Sequence, residues 1–230
     1  MSTDIVTTVL LSLRVGAIAT LFNTPLAVAV AWLMSRRDFR GKSLVDGLIN
    51  LPLVVPPVAT GYILLLLLGR YGVLGKVLFS LFGIRIAYTT AAAVIASMVV
   101  SFPLVARSCR VAMEMVDRRL ERAARSLGAR PLGVLSRVTL PLAARGILGG
   151  VLLGFARSLG EFGATMVFAG NIEGRTRTVP LSVYSLMQIP GRERGAMLLV
   201  LISVVVSLGT MVLSGILARR PGKEAGSDEP

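Results

Sequence analysis

Apolar runs of roughly 20 residues recur along the chain, separated by short polar stretches that carry most of the charge. Five such runs stand out, at 15–34, 48–68, 87–105, 138 into the 160s, and 196–217. As α-helices rising ~1.5 Å per residue, each is long enough to cross the roughly 30 Å of bilayer hydrocarbon. The pattern predicts an all-α fold: a polytopic transmembrane helical bundle with about five spans. The first run could start as early as Ile5, but that places Arg14 inside the apolar stretch. A start at Val15 leaves Arg14 to snorkel at the membrane boundary and is the expected one.

Two spans are irregular. Span two contains Pro52, Pro56, Pro57 and Gly61, so its backbone must kink or break where helical hydrogen bonds are missing. Freed carbonyls at membrane depth need protein or a wet cavity to satisfy them. The prolines therefore fit either a translocation pathway or a kink used for bundle packing. Span four is expected to begin at Pro141, a natural first-turn residue, and helical character could run to Gly170. That is ~45 Å, longer than the hydrocarbon core. Arg157 and Glu161, four residues apart, would share one helix face, either beside a pathway or as an ion pair that holds the bundle together.

The long basic loop at about 106–137 has helix signals of its own. Asp117 can cap a helix, 118–127 holds good helix formers, Gly128 suits the position after the last turn, and Pro131 stops propagation. A capped helix of two or three turns projecting from a membrane domain is a plausible docking element for a soluble partner.

Composition narrows the class. Hydrophobic residues make up 54% of the 230 and charged residues only 16%, which excludes a soluble core domain. The net charge of +13, from 25 Lys and Arg against 12 Asp and Glu, fits cytoplasmic retention of bases better than nucleic-acid binding. Most of those bases follow spans one, three and five, which places the N-terminus outside and the C-terminus in the cytoplasm. Residues 1–221 read as one membrane domain and 222–230 as a polar, disordered cytoplasmic tail. The N-terminus lacks the basic region of a cleaved signal, so the first run is expected to be kept as a span. With no histidine and a single cysteine, Cys109, neither Ser-His-Asp nor Cys-His nor zinc catalysis is expected, and no metal or other cofactor. The nearest approach to a phosphate-binding loop, around Gly69 to Val77, has the wrong glycine spacing and no Ser or Thr after Lys76. The chain is not expected to be an enzyme, and any ATP would be bound by another subunit.

Arg122-Ala123-Ala124, three residues, Gly128, nine residues, then Val138-x-Leu140-Pro141 resembles the Glu-Ala-Ala signature of ABC importer permeases of the binding-protein-dependent type. The family's glutamate position is Arg122 here, and Glu121 lies one residue earlier. The resemblance implies a coupling helix that sits in a groove of a cytoplasmic ATPase, carried by Glu121, Arg122, Ala123, Ala124, Gly128, Leu140 and Pro141. The departure at Arg122 bears on any acidic contact, not on docking. Residues 155–188, FARSLGEFGATMVFAGNIEGRTRTVPLSVYSLMQ, with NTPLAVAVAWLMSRRDFRGKS and INLPLVVPPVATGYILLL, resemble the molybdate branch of these permeases. Some members carry an extra N-terminal span, and this sequence starts at the next one, which leaves five.

The resemblance implies a homodimer of permeases with two ATPase subunits, fed by an external molybdate-binding protein. A tetrahedral dianion needs donors and positive potential without a trap. Candidate donors are Asn23, Thr24, Thr60, Ser158 and Thr165, with backbone near Pro56, Pro57, Gly160 and Gly163. Gly160, Glu161, Phe162 and Gly163 are the expected gate, with Glu161 neutralised by Arg157. The outer loop 171–195 would face the binding protein or lie on the membrane as an interfacial helix. The same scaffold for tungstate, sulfate or thiosulfate is the alternative. An ion-coupled transporter would call for inverted repeats, and an intramembrane enzyme for a carboxylate or histidine cluster; the sequence shows neither.

Overall fold

The computed structural model describes residues 2–218, so Arg219, Arg220, Lys223 and the tail expected at 222–230 lie outside the described residues. Among the described residues all regular secondary structure is helical. In order come α1 (Ser2–Arg36), α2 (Lys42–Val54), α3 (Pro57–Leu68), α4 (Val73–Phe82), α5 (Thr90–Glu114), α6 (Arg118–Ser126) and α7 (Pro131–Val134). A π-turn (Leu135–Thr139) leads into α8 (Leu140–Leu159), α9 (Gly163–Phe168), α10 (Val179–Met187) and α11 (Glu193–Ala218). Four stretches are long and apolar enough to cross a membrane, Ile5–Arg36, Thr90–Glu114, Pro131–Leu159 and Glu193–Leu217. A fifth is broken: α2 and α3 meet at an angle of 114°.

These boundaries correct several expectations. Span one does not start at Val15, because α1 is helical from Ser2 with Arg14 exposed on its surface. The extra turns have a partner in the fold: the Ser12 hydroxyl accepts a hydrogen bond from the Val179 amide at 2.7 Å, docking α10 on α1. Hydropathy locates the hydrocarbon, not the end of the helix. Likewise α5 continues past Val105 to Glu114, and the next helix starts at Pro131, so the connecting segment is much shorter than 106–137. Pro141 does not open span four. The π-turn sits just before it, where the proline ring cannot supply an ordinary i→i−4 bond, and lets the helix pass through. At the other end helical character does not run to Gly170 but stops at Leu159 and resumes at Gly163.

Small residues set how closely the helices pack. Gly146, Gly150 and Gly154 recur every fourth residue along α8 and face α5. A Cβ at Gly146 would lie 2.6 Å from that of Ala112, and one at Gly150 or Gly154 would meet Ser108 or Val105. Without a hydrophobic drive between helices in lipid, such close backbone approach supplies the packing energy. Alanines fill the rest of the contact between α1, α5 and α8: Ala27, Ala31, Ala106 and Ala112 are buried with Cys109 and Met113. Asn23 of α1 donates to Met98 O at 2.9 Å and to Ser101 Oγ at 3.0 Å, binding α1 to α5. The Ser214 hydroxyl donates to Gly149 O at 2.8 Å and ties α11 to the outer side of α8.

Candidate functional site

The first site is the short helix α6. Asp117 Oδ1 accepts from the Arg119 amide at 2.8 Å, so the N-cap stands where the residue pattern places it. Gly128 follows with φ of 84°, the left-handed conformation that ends a helix at little cost for glycine. Within this short helix Glu121 points inward. Its Oε1 accepts from Arg36 Nε at 3.0 Å and Nη2 at 2.8 Å, and from the Thr139 hydroxyl at 2.7 Å. Both ionic side chains are only 6% exposed. Arg36 Nη2 also reaches Met113 O at 2.7 Å, and Arg118 donates to Ser35 O at 3.1 Å. One carboxylate thus ties α6 to the end of α1 and to the π-turn, while Arg36 reaches the end of α5.

The other signature residues spread differently. Arg122, Ala123 and Gly128 are exposed, Ala124 is half-buried, and Leu140 and Pro141 lie in the helix beyond the π-turn. Arg36 and Thr139 escaped the sequence reading; both partners are remote from Glu121, 85 and 18 residues away.

The second site is where two helix breaks meet. α2 ends at Val54, Val55 caps it and α3 starts after Pro56, with Pro56 O accepting the Thr60 amide at 3.0 Å and lying 3.5 Å from the Thr60 hydroxyl. α3 packs on α9 at van der Waals limits. A Cβ on Gly61 would lie 2.7 Å from Ala164 O, and one on Gly163 would lie 2.9 Å from Pro57 Cβ. Gly160 has no such neighbour: its nearest is Arg157 O at 3.9 Å. Pro57, Thr60 and Gly163, expected on separate grounds, are therefore brought to one place, and Gly61 and Ala164 join them.

Glu161 organises the second break. Its carboxylate is 2% exposed; Oε2 accepts from Arg157 Nη1 at 3.0 Å, and Oε1 caps α9 by accepting the Ala164 amide at 2.9 Å. Its own amide donates to Ser158 O at 3.3 Å, and the buried Ser158 hydroxyl donates to Gly154 O at 2.9 Å. Phe162 lies against Tyr184 of α10, ring centroids 5.3 Å apart. The Thr165 hydroxyl is buried without a partner, whereas Asn23 serves helix packing as described and Thr24 bonds back to Thr20 O at 2.8 Å. The 171–195 loop sends Val179, Leu181 and Ser182 of α10 into the bundle and leaves Tyr184 and Met187 exposed. Its arginine is braced, Arg177 donating to Asn171 Oδ1 at 2.9 Å and to Glu173 at 3.1 Å.

Known proteins resemble this chain in sequence and in fold. The chain is 48% identical over 216 residues to the molybdenum transport system permease protein ModB of Haemophilus influenzae, covering 94% of each chain. It is 49% identical over 218 residues to ModB of Escherichia coli K12, covering 95% of each. The sulfate transport system permease protein CysW of Synechococcus elongatus is 39% identical over 218 residues, 94% of this chain and 74% of that one. Among solved structures, a bacterial alginate ABC transporter complexed with an alginate-loaded periplasmic protein superposes with a TM-score of 0.71 at 15% identity, covering 93% of this chain and 78% of that one. An inward-facing methionine ABC transporter superposes with a TM-score of 0.64 at 16% identity, covering 95% and 96%. Residues 23–223 match the binding-protein-dependent transport system inner membrane component family, and with this fold and these relatives the chain belongs to that family as a multi-pass membrane permease.

Proposed function

We propose that this chain is the membrane-spanning subunit of an ATP-driven importer that carries molybdate inward. The observation that carries the reading is the near-half identity to molybdenum permeases along 94–95% of both chains, against 39% for the sulfate relative. The geometry of the second site is compatible with an anion. Glu161 would repel a dianion, but its charge is held by Arg157 and the N-terminus of α9, and the Arg157 side chain keeps 34% exposure. Pro56, Pro57, Thr60, Arg157, Ser158, Gly160, Glu161, Phe162 and Gly163 form the proposed pathway and gate. Nothing there resembles a high-affinity cage, which suits a pore that receives its cargo from an external molybdate-binding protein.

In this reading two copies form a homodimer, and α6 of each docks on one of two cytoplasmic ATPase subunits that bind the ATP; the chain itself holds no cofactor. Glu121 acts by positioning α6, and Arg122, Ala123, Ala124 and Gly128 by shaping its exposed surface. In this reading the N-terminus is outside and the C-terminus cytoplasmic, an orientation the distribution of bases supports. Tungstate and sulfate or thiosulfate are the competing cargoes. Uptake of radiolabelled molybdate by cells that lack their own transporter and express this chain with its ATPase and binding protein tests the reading. Suppression by excess tungstate and not by sulfate is the expected result. Suppression by sulfate would move the assignment to a sulfate importer, and absence of ATP-dependent uptake would overturn it.

A further inference from the structure

We infer that the ATPase surface receiving α6 is an apolar groove with an acidic rim, opposite in sign to the contact that a glutamate at the position of Arg122 would make. The inference rests on the proposal that α6 engages the ATPase and adds the chemistry of that partner. The side chains of α6 divide by the direction they face. At about 100° per residue, the buried Glu121 defines the inward side of the helix. Leu120 and Leu127, seven apart, share a line on the outward side with Ala123 between them, and all three are exposed, Leu127 to 89%. Arg119 stands beside Ala123 at one edge of that line and Arg122 further round on the same side; both are exposed, and their side chains make no hydrogen bond or ion pair among the described residues.

The charge of the surface is one-sided. The two carboxylates of the helix region are already engaged, Glu121 by Arg36 and Thr139 inside the fold and Asp117 at the N-cap. On the flank opposite the leucines, a cavity of about 220 Å³ is lined by Arg36, Arg118, Glu121, Arg122 and Arg125, four guanidinium groups to one carboxylate. Arg36 Nη1 is buried there without an acceptor. Positive-inside retention would account for bases near this loop. It does not account for a projecting leucine line beside them, which water disfavours and a partner pocket would bury. An apolar strip bordered along one side by free guanidinium groups is matched by a hydrophobic floor with carboxylates along that edge.

The test uses the full complex, with affinity-tagged permease co-expressed with its ATPase and the retained ATPase measured in detergent. Between about 50 mM and about 500 mM NaCl retention should fall steeply, since screening weakens exposed charge pairs. R119E/R122E should reduce retention by roughly tenfold at low salt, R119Q/R122Q by less, and both should blunt the salt dependence. Equal membrane levels and elution profiles of the variants check their folding, and neither side chain makes a hydrogen bond or ion pair among the described residues. Salt-independent retention that tolerates R119E/R122E would overturn the acidic rim. L127D separates the layers: if it abolishes retention while the charge reversal does not, the acidic rim alone is wrong, and if ATPase binding survives it, α6 is not the docking element. A loss confined to bilayers containing anionic lipid, absent in detergent and in zwitterionic nanodiscs, would assign the arginines to lipid headgroups and overturn the proposal.

Discussion

Replacing Glu121 by alanine removes a carboxylate oxygen that accepts three hydrogen bonds at 2.7–3.0 Å, two from Arg36 and one from Thr139. Arg36, whose side chain is 6% exposed in the intact protein, would keep Met113 O as its one remaining acceptor. Breaking a buried ion pair by removing one partner costs about 3–5 kcal/mol, because the surviving charge stays desolvated. For a chain of this size 1 kcal/mol moves Tm by about 2–4 °C, so Glu121→Ala should lower it by roughly 6–20 °C. Glu121→Gln keeps an acceptor and loses the charge, costing about 1–2 kcal/mol and a few degrees. Replacing both partners, Arg36→Met with Glu121→Leu, should recover most of the loss, since an apolar pair carries no desolvation cost. The assay is thermal unfolding of the detergent-purified permease without ATPase, all variants heated at one rate. An unchanged Tm for Glu121→Ala, or no recovery in the double variant, would refute the internal tie and return Glu121 to the surface as a direct ATPase contact.

Three further outcomes follow from single positions. Gly128, at φ 84° with no atom within 4 Å of where a Cβ would stand, should tolerate Asn but lose about 1–2 kcal/mol of helix ending as Val, seen as reduced ATP-dependent uptake with unchanged membrane insertion. Gly150→Ala should overpack the contact with Ser108 by about 1–3 kcal/mol and lower Tm, and adding Ser108→Gly should restore it by vacating the space. Gly61→Ala drives a methyl to 2.7 Å from Ala164 O, a backbone atom that cannot swing aside, so uptake should be lost, whereas Gly160→Ala, whose nearest neighbour is at 3.9 Å, should transport normally.

Local chemistry made part of this molecule legible in advance. Asp117, Gly128 and Pro131 act within a turn of where they stand, so α6 could be read to within a residue or two. The prolines of span two announce a break for the same reason, though not its 114° angle, which depends on the packing of α3 against α9. What stayed hidden depends on partners far away in sequence. Glu121 looks like a solvent-facing helix residue until Arg36, 85 positions earlier, is placed beside it. Asn23 reads as a pathway donor but spends its amide on Met98 and Ser101. The four-residue glycine spacing along α8 was there to be read as a close-packing ridge, but which face it serves appears only with α5 in place. The gate glycines looked alike, and only the fold separates Gly163, pressed on Pro57, from Gly160, which touches nothing closely.

The same contacts limit how a permease of this kind can move. α8 is locked to α5 by glycines that leave no room for sliding, and α3 is locked to α9 by Gly61 and Gly163. Glu161 joins those two blocks through Arg157 on α8 and the Ala164 amide on α9, and Glu121 joins α6 to α1 and the π-turn. A displacement of α6 is therefore handed to a stiff assembly of α1, α5, α8, α3 and α9 rather than absorbed by bending one helix. α2 is held more loosely: it contains no buried residue and meets the assembly through the Asp46–Arg110 ion pair at 3.1 Å, Ile49 packed on the cluster between α1 and α5, and the Val55–Pro56 bend. Close-packed interfaces are bistable rather than continuously deformable, so an assembly this rigid opens by rotating as a body against a second one. In the proposed homodimer that second body would be the other copy, and alternating access would lie at the surface between the copies; Val54, Val58 and Tyr62, exposed beside the paired breaks, are the residues available to line it.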